Sequence, residues 1–82
     1  MNDGGAIYLR PGDVTTMILL DEYGGKTKRG NPFRMQVWQN HHGAFEGHVF
    51  LLSSRKIFSV YDQSYRRTAI RLAIQRAEKA GY

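Results

Sequence analysis

Between Phe33 and Leu52, apolar and polar residues alternate with a period of two, the spacing of side chains on a half-buried strand. Phe33, Met35 and Val37 fall on one face, and Arg34, Gln36 and Trp38 on the other. After Asn40-His41-His42-Gly43, the pattern resumes with Phe45, Val49 and Leu51 on one side and Glu46, His48, Phe50 and Leu52 on the other. The interruption reads as a hairpin turn with glycine at a positive φ, so runs 33–39 and 44–52 are predicted antiparallel partners. Upstream, Ala6 to Arg10 is a short strand closed by the turn formers Pro11-Gly12-Asp13. Val14 to Tyr23 is apolar on both alternating faces and predicts a well-buried strand, since Val14-Thr15-Thr16 and Gly24-Gly25 argue against a helix. Ser53-Ser54 turns the chain again, and Arg55 to Val60 is the last strand, with Phe58 and Val60 inward.

The period then changes to 3.6. Ile70, Ala73, Ile74 and Ala77 follow the i, i+3, i+4, i+7 rule and predict a buried helical stripe, flanked by Ala69 and Ala80. Asp62 or Ser64 can cap the start, and Gly81 can end the helix. The expected fold is α+β: a four- to five-stranded antiparallel β meander with one C-terminal α-helix packed on one face, a single domain over residues 1–82. Ile70 and Ile74 should meet Val37 and Val49, and Ile74→Ala should cost about 2–5 kcal/mol if it is core.

Composition narrows the class. A chain of 82 residues buries only about 60% of its unfolded surface, so its core is thin. It has no cysteine, which points to a reducing compartment and removes thiol nucleophiles and thiolate metal ligands. The start lacks the basic and apolar segments of a signal peptide. The longest apolar stretch, Met17 to Leu20, falls far short of the ~20 residues of a membrane span. A cytoplasmic protein without a membrane partner is expected.

Charge is placed unevenly within a net +5. Residues 1–25 carry Asp3, Asp13, Asp21 and Glu22 against Arg10, whereas residues 55–82 carry seven cations against Asp62 and Glu78. Such polarity suits an anionic partner, either a phosphate backbone or an acidic protein surface. Two segments concentrate the charge: the loop with Lys26, Lys28, Arg29 and Arg34, and the helix face with Arg67, Arg71 and Lys79. Arg67 and Arg71 are like charges at i, i+4, which costs a few tenths of a kcal/mol (roughly) unless an anion lies between them. Trp38 and Phe50, on the sheet face away from the helix, form a candidate aromatic interface that could stack bases or anchor a protein, unless the N-terminal segment covers that face.

Other chemistry is not expected. Gly25-Lys26-Thr27 has the end of a P-loop, but Leu20 stands where its first glycine belongs, and Gly30-Asn31-Pro32 breaks the helix that should follow. His41, His42 and His48 find no cysteine to complete a metal site, so no metal or cofactor is expected. Glu46 and His48 lie two apart on one strand and are expected to be solvated neighbours, not a catalytic pair.

A basic three-stranded meander followed by a helix, residues 33–80, resembles AP2-type and integrase arm-binding domains, which implies a sheet laid in a DNA groove. Ser64-Tyr65-Arg66-Arg67-Thr68-Ala69 is similar to a helix start of double-stranded RNA-binding domains. The size, the lack of cysteine and the lack of a catalytic signature also resemble small phage accessory proteins of the anti-CRISPR kind. The expectation is a non-enzymatic binding module for nucleic acid, with a homo-oligomer compatible. The alternative is an inhibitor of a host defence complex that blocks a nucleic-acid-binding or catalytic surface by protein contact.

Overall fold

The computed structural model describes residues 7–9 and 16–82, with side chains from Met17 onward. Five strands, β1 (Ile7–Leu9), β2 (Thr16–Lys26), β3 (Pro32–Asn40), β4 (Phe45–Leu51) and β5 (Ile57–Gln63), precede one helix, α1 (Arg66–Lys79). Each strand pairs antiparallel with its sequence neighbour, which makes the expected α+β meander. The predicted turn Pro11-Gly12-Asp13, with Ala6 and Arg10, lies outside the described residues.

The β3–β4 hairpin follows the sequence pattern. Gly43 takes φ 85, and the Asn40 side-chain oxygen accepts from the His42 and Ala44 N–H groups at 2.9 and 3.0 Å. The register sets Met35 opposite Val49 and Phe33 opposite Leu51 on one face. On the other it sets Gln36 opposite His48 and Trp38 opposite Glu46. Strand β2 runs later in the chain than its apolar pattern suggests. Its register shifts between Leu19 and Asp21, so Leu19 stands opposite Trp38 while Glu22 stands opposite Gln36. A bulge of this kind flips the faces downstream of it, so Glu22 joins Leu19 on the open face. The strand is not the well-buried one expected: between Met17 and Lys26 only Leu19 is buried, and Ile18 and Tyr23 are exposed, because β2 lies outside the part of the sheet that α1 covers.

The core lies between β3–β5 and α1. Phe33, Met35, Val37, Val49, Leu51 and Val60 pack with Ala73 and Ala77, with Ile70, Leu72, Ile74, Phe58 and Tyr82 around them. The helix stripe differs from the expected one. Ala69, Ala73 and Ala77 are fully buried, while Ile70 and Ile74 are only half-buried. The reason is close approach: Gly47 on β4 lies under the helix, and a Cβ there would stand 2.5 Å from the Ala69 carbonyl oxygen. The alanine row is the only one thin enough to lie on that surface, so the isoleucines take the flank.

Both helix ends are built by the backbone. Tyr65 is the N-cap and makes no side-chain cap bond, so neither Asp62 nor Ser64 caps α1 as expected. Asp62 instead sits within β5 at φ 56, beside a register shift against β4. At the C-terminus the glycine prediction holds. Gly81 at φ 102 lets the Tyr82 N–H reach the Ala77 carbonyl at 3.0 Å and its own N–H reach Glu78 at 3.0 Å, a Schellman closure.

Candidate functional site

The Schellman turn delivers Tyr82 to the β2–β3 loop. The Thr27 hydroxyl and the Asn31 amide both donate to the Tyr82 main-chain oxygen. The Lys28 N–H donates to Glu78 Oε2 at 2.9 Å. Within the loop, Gly30 at φ 87 lets its N–H reach the Thr27 carbonyl at 2.9 Å. The Thr27 N–H reaches the Asn31 carbonyl at the same distance. Thr27 is only 5% exposed although its neighbours are all charged or glycine, so it is the anchor of the loop.

This clamp brings together two of the basic segments found in the sequence. Lys28 and Lys79 line one recess of about 360 Å³ with Gln75 and Glu78. A Cβ on Gly81 would lie 3.8 Å from Arg29 Nη1, which places that guanidinium over the helix end. Lys26, Lys28 and Arg29 are exposed, as are Arg67, Arg71 and Lys79 on the helix. Arg66 and Arg76, outside the two segments that the sequence singles out, are exposed too. Helix α1 thus carries five cations against Glu78, whose carboxylate is turned to Lys28. Fourteen residues span about 21 Å, and opposite the buried alanine row Arg67, Arg71 and Lys79 share the outer face, so with the loop at the helix end they form a cationic ridge of roughly that length, with Arg66 and Arg76 to its sides.

Arg34 is not part of the ridge. It lies on the opposite face, where its Nε donates to Glu22 Oε2 at 3.1 Å. Gln36 donates to the same oxygen at 2.9 Å and accepts from Trp38 Nε1 at 3.1 Å. The bonds from Gln36 first, and from Arg34 second, hold the Glu22 carboxyl below its ordinary range. Trp38 lies on the predicted face but is only 7% exposed, and Phe50 is half-buried. Trp38 is therefore packed into that face and is not an open stacking platform.

The same face holds a second network, in which Glu46 and His48 are not the solvated neighbours that their spacing predicts. Glu46 and the His48 side chain are largely buried, with Glu46 Oε1 3.2 Å from His48 Nε2 and His48 Nδ1 2.7 Å from Ser59 Oγ. Tyr61 sets its ring edge-on to His48 at 5.5 Å. Only the β4–β5 register, which puts Ser59 opposite His48, reveals this. With the proton on Nε2, donated to Glu46, the free Nδ1 would accept from the Ser59 hydroxyl. A shallow recess of about 290 Å³ opens beside it, lined by Met17, Gln36, Trp38, Glu46, His48, Phe50 and Tyr61. The Ser59 hydroxyl holds the imidazole from the β5 side. Among the described residues, no group of three His, Asp or Glu side chains is placed to hold a metal ion, and no helix is long and apolar enough to cross a membrane.

The geometry defines a small antiparallel meander backed by one basic helix, with its longest basic loop clamped to the helix end. No family model matches the chain, and neither curated proteins nor solved structures give a match.

Proposed function

We propose that the chain is a non-enzymatic binding module whose loop-and-helix ridge takes the phosphate backbone of a nucleic acid. The observation that carries this reading is the clamp of Thr27, Lys28 and Asn31 to Tyr82 and Glu78. It holds Lys28 and Arg29 at the end of the helix whose outer face carries Arg67, Arg71 and Lys79, which supports a reading in which charges nearly forty residues apart act on one polyanion. Neutralising several phosphates at once releases condensed counterions, and that release supplies sequence-independent affinity. The like-charged pair Arg67 and Arg71 then has an anion to share.

Binding of labelled duplex and single-stranded oligonucleotides, titrated between about 50 and 200 mM salt, tests this reading. Log affinity should fall linearly with log salt, by about 0.9 per phosphate contact on duplex DNA and 0.7 on single strands. Arg67→Ala with Arg71→Ala should flatten the slope by about one to two units on all sequences alike. Arg34→Ala, on the far face, should leave the slope unchanged. An absence of binding at low salt overturns the reading and assigns the ridge to an acidic protein surface, as in a small inhibitor.

A further inference from the structure

Strand β5 ends the sheet on one side. The Leu51 N–H donates to the Lys56 carbonyl at 2.8 Å, so Lys56, Phe58 and Val60 turn their main-chain groups toward β4. Those of Ile57, Ser59 and Tyr61 then point away from the sheet and form a template for another strand, in which the Tyr61 carbonyl, now accepting from the Gln63 side-chain amide at 2.8 Å, exchanges that bond for a main-chain one. The side chains around this edge suit burial better than water. Leu52, Ile57, Tyr61 and Tyr65 are 58, 57, 55 and 67% exposed, the four most exposed large apolar residues among those described. All four lie in β5 or in the connections that flank it.

We propose that β5 pairs antiparallel with β5 of a second copy, about a two-fold axis at Ser59. This register sets Ile57 against Tyr61 of the second copy, a β-branched–aromatic pair that symmetry forms twice. It also sets Lys56 against Asp62 of the second copy, again twice. A strand with a cation before it and an anion near its end complements itself only when antiparallel, and any other register loses both pairings. Asp62, at φ 56, ends the main-chain ladder, which runs from Ile57 through Tyr61, so the Lys56–Asp62 attraction is one between exposed side chains just beyond its ends. A two-fold pair uses the β5 edge of both copies, so pairing through β5 closes at a dimer. The axis is perpendicular to the sheet, so both copies of α1 lie on one side, and the dimer presents two cationic ridges together.

Sedimentation equilibrium of the purified chain from micromolar to millimolar concentration should show a monomer–dimer equilibrium. Amide exchange under dimer conditions should protect Ile57, Ser59 and Tyr61, whose N–H groups face away from β4. Lys56→Asp should weaken the dimer about tenfold, and Ile57→Lys with Tyr61→Lys should abolish it, while circular dichroism stays unchanged. A chain that is monomeric throughout overturns the proposal. So does a dimer whose three amides exchange freely, or one that Lys56→Asp leaves as tight.

Discussion

Gly47 is the residue on which the helix rests. A Cβ there would meet the Ala69 carbonyl oxygen at 2.5 Å and the Ala69 carbonyl carbon at 3.0 Å, and backbone cannot step aside as a flexible side chain can. Gly47→Ala should therefore lift α1 off β4 and cost about 1–3 kcal/mol or more. Ile74 is only half-buried, so Ile74→Ala should cost about 1–2 kcal/mol, less than a fully buried isoleucine would imply. Urea melts of the two variants check this, and a larger loss from Ile74→Ala would place the helix contact on the isoleucine row. The alternation and the 3.6-residue period were enough to assign nearly every core residue its face. They could not rank alanine above isoleucine, because that ranking depends on a glycine more than twenty residues upstream.

The β2–β3 loop and the end of α1 behave as one element. Thr27 bonds Tyr82 from inside the loop, while Gly81 turns the chain back to receive it. Thr27→Val keeps the shape but removes the hydroxyl, so stability should fall by about 1 kcal/mol. If the loop is part of a phosphate ridge, the same change should also weaken nucleic-acid binding, although no charge is altered. Oligonucleotide titration of Thr27→Val checks this, and unchanged affinity would mean that the loop's position does not matter to binding. Turn formers made the loop legible in the sequence, and Gly81 marked the end of the helix. Nothing local announced that the two ends meet, because that contact joins residues fifty-five positions apart.

Across the whole molecule, the acids Glu22 and Glu46 lie on the open face with partners there, Arg34 among them, while α1 carries five cations against Glu78. Glu22 has its pKa lowered from 4.5, so its folded value lies below the unfolded one. The stabilisation it provides is therefore full above the unfolded value and is lost as pH falls through the folded one. Carboxyl NMR should show Glu22 titrating below 4.5, with Gln36→Leu moving it up further than Arg34→Met, because the Gln36 bond is the larger cause. A Glu22 carboxyl that titrates at or above 4.5 would mean these bonds do not form in solution. The acid limb of a pH–stability profile should shift toward higher pH in the same order.

By itself the sequence determined the α+β class, the strand order, the β3–β4 hairpin, the glycine that ends the helix and the two basic segments. These rest on period, turn chemistry and charge, which act over a few residues. The tertiary structure alone decided that the β2 bulge turns Glu22 toward Gln36 and Arg34, and that Trp38 is packed away. It also decided that Glu46, His48 and Ser59 form one network. The reason is register: a slip of one residue exchanges the faces of a strand, and only long-range packing selects it.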